Sequence, residues 1–438
     1  MNSLFSLVLP FLILLSSVIK GYFLGYPLLL SLFLIIITFS CQGFSIRDLI
    51  TLGFTSSQKA FPVIIILLLI GAVTSVWMAA GTIPAMVYYG TQLVNPRYFI
   101  ISAFVLTSLV SMVLGTSFGT VSTVGVALMI MAKGGNINPH IVAGAIIAGA
   151  YFGDRCSPMS SSANLVASLT KTKLYRNLRT MMVTALLPLM TSLLVYLLFS
   201  VSNPVQIKES KFLQELPDLF NINLLVLLPV FAIIILCICR LDVKVTLLFS
   251  LVIGLLLGVI CQGYSFFQLI KFTLFGFSLE LRSDLTDALA GGGVVSMLRV
   301  SIVVILSTSL AGIIVGTKTL APIEKLLTKI SKRSSLFFGT TTVSLGAAAF
   351  GCTQTLAILL TQQLMREKYE REQLDGYQLA TDIENTAVVL SPLIPWNIAG
   401  LVPATILMTD SGFIPYAVYL YFIPLFNFIH FKFAELSK

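Results

Sequence analysis

Asp154 and Arg155 interrupt a long apolar stretch that begins near Asn138, and Glu384 stands in a second such stretch, followed by Asn385 and Thr386. If the first helix starts at Asn138, Asp154 lies about 24 Å along it at 1.5 Å per residue. That depth is well inside a hydrocarbon core of roughly 30 Å. Glu384 lies about 9 Å into a span that starts near Gln378. An ionisable side chain so placed is costly unless it faces water or a partner, which makes both carboxylates functional candidates. A carboxylate in low dielectric holds its proton tightly, so proton and cation compete for it near neutral pH, and that competition is the core of cation/proton exchange. The structural alternative for Asp154 is a pair with Arg155 or a helix cap. Asp382, nearer the end of its span, is balanced between a solvated helix-end residue and an acid on an entry path.

Oxygen donors cluster around the first carboxylate. The hydroxyls of Ser157, Ser160, Ser161 and Ser162, the Asn164 amide and the carbonyls freed by Pro158 suit a small hard cation. The second stretch repeats the pattern with Ser391, Pro392 and Asn397. A third set runs from Gly115 to Thr123 and includes Thr116, Gly119, Thr120 and Thr123. Its counterpart runs from Phe350 to Thr355 and includes Gly351, Thr353 and Thr355. The glycines permit a break or a close helix approach, and the threonines and serines, Ser117 and Ser122 among them, supply oxygens, although tight packing alone accounts equally well for any one of them.

Elements must carry these groups into a membrane. The 438 residues are 57% hydrophobic and only 10% charged, whereas soluble domains carry about 25% charged residues. Mean hydropathy is +0.98. Apolar stretches recur from Leu4 to Phe431 and predict an all-α polytopic membrane protein of about twelve spans. The first, Leu4 to Ile19, lacks a basic leader and a cleavage site and reads as a retained span. The net charge of +9 resides in short loops, which is the pattern of membrane topology and not of nucleic-acid binding. Lys171, Lys173, Arg176 and Arg179, then Lys318, Lys325, Lys329, Lys332 and Arg333, then Arg366, Lys368 and Arg371 mark inner loops if both termini are cytoplasmic. Six cysteines and two histidines support neither a disulfide framework nor a zinc site, and no cofactor is called for. No His stands near a candidate Ser, so an enzyme is not indicated.

An internal repeat organises the chain. Cys41-Gln42-Gly43-Phe44-Ser45 is echoed by Cys261-Gln262-Gly263-Tyr264-Ser265. Phe118, Gly119, Thr123 and Leu128 match Phe350, Gly351, Thr355 and Leu360, and Ser157, Pro158 and Asn164 match Ser391, Pro392 and Asn397. On the topology above the copies cross the membrane in opposite senses. The expectation is therefore two inverted-topology repeats, 1–200 and 222–430, with broken or re-entrant helices at the midplane. An external loop, 201–221, joins them and a cytoplasmic tail, 431–438, follows. Such a pair can alternate around a midplane site, as secondary transporters do.

At Gly81 to Pro84 with Tyr88, Tyr89 and Gly90, at Gly115 to Thr120, at Gly149 to Asn164 and at Ser391 to Asn397 the chain resembles the NhaC family of sodium/proton antiporters, within the ion transporter superfamily. The resemblance spans nearly the whole chain. It implies exchange of Na+ or Li+ for H+ at a plasma membrane, with Asp154 as the embedded acid and a homodimer as the assembly. The family commonly has Asp where this chain has Ser161 and Asn385, so two potential negative ligands are absent. Relatives that move organic acids or amino acids supply a second expectation: a Na+- or H+-coupled carrier whose half-helix starts near Asn164 and Asn397 receive a substrate carboxylate. Arg155 facing the cavity would favour that version.

Overall fold

The computed structural model describes residues 2–58, 60–93, 95–135, 137–204, 216–239, 241–278, 291–317, 319 and 332–436. Among them the chain is helical, and the one extended pairing is an isolated bridge between Phe277 and Gly291. Lys208, Glu209, Lys211 and Glu215 of the connector, Lys318, Lys325 and Lys329, and the last two residues of the tail lie outside the described residues.

The first half comprises α1 (Asn2–Ile19), α2 (Gly25–Cys41), α3 (Ile46–Gln58), α4 (Phe61–Ala79), α5 (Thr82–Leu93), α6 (Phe99–Leu114), α7 (Ser117–Thr120), α8 (Val126–Gly134), α9 (Pro139–Cys156), α10 (Ser161–Leu169) and α11 (Leu174–Ser202). The second half comprises α12 (Leu228–Ile238), α13 (Val243–Ile260), α14 (Phe266–Phe275), α15 (Val294–Gly316), α16 (Arg333–Gly351), α17 (Gln354–Arg371), α18 (Gly376–Ile383), α19 (Ile398–Ile406) and α20 (Val418–Leu436). Local signals set the boundaries. The Asn138 side chain accepts from His140 N at 2.9 Å and Pro139 follows at the first helical position, where its missing N–H costs nothing. Asp375 and Gln378 form a capping box at the start of α18.

Among the described residues five helices are long and apolar enough to cross a bilayer: Phe61–Ala79, Pro96–Leu114, Leu174–Ser202, Val243–Ile260 and Val294–Gly316. A sixth arises if Gly376–Leu393 and Ile398–Ile406, bent by 52°, count as one broken span. Other apolar helices, such as Gly25–Cys41 and Ser117–Lys133, are shorter. Leu186, Leu187, Leu194 and Leu198 on α11 and Leu248, Phe249, Val252 and Leu256 on α13 are exposed. Exposed apolar surface of that extent is solvated by lipid tails and not by water, so the chain is an integral membrane protein.

The interrupted stretches break where backbone chemistry requires it. Gly115 ends α6 in the left-handed region at φ 66°, and Thr116 then caps α7, accepting from Gly119 N at 3.2 Å. A π turn, Val121–Gly125, leads on into α8. In the second half Cys352 ends α16 at φ 54°, and Thr353 caps α17, accepting from Leu356 N at 3.1 Å. These two breaks share one local plan. The sequence pairing of Gly119 with Gly351 runs at an offset of 232 residues, whereas the two left-handed residues, Gly115 and Cys352, stand 237 apart.

Packing crosses between the halves. α2 and α3 lie against α15, while α13 and α14 lie against α4. α6 lies along α9, with Ser111 Oγ donating to Ala150 O at 2.5 Å. Gly153 makes this approach possible: a Cβ there would stand 2.3 Å from the Ser111 carbonyl carbon and Cβ. Gly153→Ala is accordingly expected to lower stability by about 1–3 kcal/mol through overpacking. It should also reduce transport, because Asp154 is the next residue. Thermal melting of the purified variant checks the first effect, and an unchanged melting temperature would refute the close approach.

Candidate functional site

Asp154 lies in the last turn of α9 and is 4% exposed. Pro158 cannot continue the helix, and after the break Ser160 caps α10, accepting from Ala163 N at 3.2 Å. The same Ser160 hydroxyl donates to Asp154 Oδ1 at 3.1 Å and lies 2.8 Å from Ser162 Oγ, which reaches the Asp154 carbonyl at 3.5 Å. Ser117 and Gln354 bring two more polar side chains to the carboxylate. Ser160, Ser117 and Gln354 stand at the starts of three helical runs, α10, Ser117–Lys133 and α17. The partial positive charge of helix starts offsets part of the cost of burying an anion there.

Glu384 opens a π turn, Glu384–Val388, that interrupts the second broken helix. It is 1% exposed, and neither carboxylate oxygen has a hydrogen-bond partner. Asp154 and Arg155 both lie within its electrostatic reach. Each half thus carries a π turn beside the site, a geometry that frees carbonyls and often marks functional positions.

Arg155 is 0% exposed. Its Nη1 donates to Met181 O at 3.1 Å and its Nη2 to Thr184 Oγ1 at 2.9 Å and to the Asn385 side-chain oxygen. The guanidinium therefore ties α9 to α11 and to the π turn, and it forms no ion pair with Asp154.

The remaining candidates divide. Ser157 Oγ accepts from Met159 N at 3.2 Å and shapes the break. Ser161 and Asn164 are exposed, and the Asn164 amide donates to Ser160 O at 2.7 Å, so Ser160 and Ser162 face Asp154 in their place. Pro158 is exposed and Pro392 buried within their respective breaks. Ser391 Oγ donates to Ala387 O at 2.6 Å. Both ends of Asn397 are engaged: its oxygen caps Ala399 N at 2.9 Å and its amide donates to Ala348 O at 2.8 Å. Thr120 and Thr123 donate back to their own helix, to Thr116 O at 2.9 Å and Gly119 O at 2.8 Å, while Thr355 is exposed and Gly351 closes α16. Asp382 is buried and is no solvated helix-end residue. It pairs with Arg333 at 2.6 Å and accepts from the Tyr369 hydroxyl at 2.5 Å.

Ser117 and Gln354 belong to the third polar set read from the sequence, Ser117 among its oxygen donors, whereas Thr184 had no place in that reading. The first two directly follow a capping Thr, a signal that locates helix starts; Thr184 sits in an ordinary apolar helix and carries no such signal.

The matched region contains both carboxylates. The model of the Na+/H+ antiporter family matches residues 149–433. An uncharacterized Na+/H+ antiporter of Haemophilus influenzae is 30% identical over 375 residues, covering 82% of this chain and 80% of the relative. The Na+/H+ antiporter NhaC of Alkalihalophilus pseudofirmus is 29% identical, covering 82% and 79%. The malate-2H+/Na+-lactate antiporter of Bacillus subtilis is 28% identical, covering 85% and 81%. With Asp154 and Glu384 buried among broken helices inside the matched region, and relatives aligned over most of its length, the chain belongs to the Na+/H+ antiporter family, alongside the NhaC antiporters.

Proposed function

We propose that the chain exchanges Na+ or Li+ for H+ across the plasma membrane by alternating access, with both termini in the cytoplasm and no cofactor. The observation that carries this reading is Asp154, a buried carboxylate ringed by the oxygen-bearing side chains of Ser117, Ser160 and Gln354 with unpartnered Glu384 beside it. Such a site accepts either a proton or a small hard cation, and loading by one excludes the other. Two inverted repeats of about six spans each, 1–200 and 222–430, supply the alternation. Supporting this are the shared plan of the breaks at Gly115–Thr116 and Cys352–Thr353, the paired π turns, and the reciprocal packing of α2 and α3 on α15 and of α13 and α14 on α4.

The Bacillus subtilis malate-2H+/Na+-lactate antiporter favours a second reading, coupled transport of a small organic anion. Against it, both terminal nitrogens of Arg155 are already engaged by α11 and Asn385, so its guanidinium is not offered to a substrate carboxylate. The test is purified protein in liposomes holding a pH-sensitive dye and a pH gradient, challenged in turn with Na+, Li+, K+ and choline. Na+ and Li+ are expected to dissipate the gradient while K+ and choline leave it intact. Silence toward all cations, with a response to malate, lactate or an amino acid, would transfer the site to the second reading.

A further inference from the structure

Resting on the antiport reading above, we propose that the cytoplasmic passage to Asp154 and Glu384 runs through a cavity between α10, α17 and α18. Tyr369, Asp382 and Arg333 form the gate that closes this passage in the present structure.

A cavity of about 230 Å³ lies between the end of α10, the last turns of α17 and the start of α18. Its rim is exposed at Lys171, Arg366 and Asp375, and buried Gln362, Tyr369 and Leu379 lie below. Lys171 and Arg366 put the rim on the cytoplasmic face of the proposed topology. The three elements that wall the cavity carry the site at their other ends: Ser160 caps α10, Gln354 opens α17 and Glu384 follows α18. At 1.5 Å per residue, α10 and α18 lead from cavity to site over about 12–14 Å.

The floor of the cavity is shut. Gln362 Nε2 donates from α17 to Leu169 O, at the end of α10, over 3.4 Å. The Tyr369 hydroxyl donates to Asp382 at 2.5 Å and lies 2.9 Å from Thr340 Oγ1, while Arg333 pairs with Asp382 at 2.6 Å. One cluster thus ties α16, α17 and α18 together. It is not a saturated structural bridge, because Asp382 Oδ1 and Arg333 Nη1 are buried without hydrogen-bond partners. The pair forgoes part of the compensation that buried charges need, which makes it a contact that water can replace when the cavity deepens.

Polar groups continue beyond the cluster. Thr386 Oγ1 donates to Asp382 O at 2.6 Å, and Ser344 Oγ lies 2.9 Å from Thr386 Oγ1 and 3.3 Å from Thr361 Oγ1. All three hydroxyl residues are 0% exposed. Thr386 belongs to the π turn that Glu384 opens, so this seam reaches from the floor of the cavity to the site. Polar and ionisable side chains inside a membrane protein mark ion and proton pathways. Asp382 and Glu384 stand two residues apart on one helical run, so a shift that repositions Glu384 also moves the gate.

The test uses the full-length chain with single introduced cysteines and a membrane-impermeant cationic thiosulfonate. Unsubstituted protein treated alike corrects for the native cysteines. In membrane vesicles of known sidedness, Leu379→Cys protein is expected to lose exchange when the reagent reaches the cytoplasmic face and to keep it when only the other face is treated. Thr361→Cys, placed beyond the gate, is expected to react slowly from the cytoplasmic face. Adding either Tyr369→Phe or Asp382→Asn should speed that reaction about tenfold, the scale of removing one charge-assisted hydrogen bond. Exchange at the unmodified rate by Leu379→Cys protein that mass spectrometry shows to be fully modified would overturn the route, as would a failure of the reagent to modify that position from the cytoplasmic face. A Thr361→Cys reaction rate that neither gate substitution changes would overturn the gate. Tyr369→Phe keeps the ring in place, so the gate remains testable if Asp382→Asn does not fold. If unsubstituted protein moves no protons in response to Na+, the antiport reading falls, while the labelling rates, which need no transport, still decide whether the cavity is a gated way inward.

Discussion

Asp154→Asn is expected to abolish Na+-driven proton movement, lowering the initial rate at least about 100-fold, the scale of losing an essential proton-transfer group. The substitution is nearly isosteric. Its amide oxygen still accepts from Ser160, which lies 3.1 Å from Oδ1, so the break between α9 and α10 keeps its geometry. What the amide lacks is the ability to bind and release a proton or to neutralise a cation. A monodisperse, helical Asp154→Asn protein with no dye response in the liposome assay is the expected outcome. Substantial exchange by that variant would move the transport role to Glu384, since Asp382, the third buried carboxylate among the described residues, is paired with Arg333.

Arg155→Leu is expected to lower stability by about 3–5 kcal/mol, because removing one member of a buried charge network strands the others. The Met181 carbonyl, the Thr184 hydroxyl and the Asn385 side chain would each lose a charged donor, and Glu384 would lose the positive charge within its reach. Thermal melting in detergent measures the loss. Adding Glu384→Gln should recover part of it, since the second change removes the stranded charge, and a double-mutant cycle over the two positions reads that coupling directly. Additive effects of the two substitutions would show that Arg155 is not the counter-charge of Glu384.

The membrane class, the broken stretches and the two carboxylates were all legible along the chain, because each rests on local chemistry. A 57% hydrophobic chain with 10% charge has few alternatives to a membrane interior. Pro158 and Pro392, each directly after a Ser and followed by further polar residues, favour a break, and an Asp or Glu inside an apolar run is conspicuous before any fold is known. The point of each break was less legible, since the residue that terminates α16 in the left-handed region is Cys352, not a glycine.

Partners across the fold were beyond the sequence. Ser161 and Ser162 are adjacent and chemically identical, yet one is exposed and the other lies by Asp154, a difference set by where the helix restarts. Asp154 and Arg155 are neighbours along the chain, but successive helix residues project about 100° apart and do not face each other. The carboxylate consequently turns toward Ser160, Ser117 and Gln354, while the guanidinium turns toward α11 and Asn385. By itself the sequence determined that buried acids stand in broken helices. Only the tertiary structure decided which oxygens surround Asp154 and that Arg155 is held by a neutral amide, because those contacts join residues up to 230 positions apart in the numbering, as Arg155 and Asn385 are, and no local propensity specifies them.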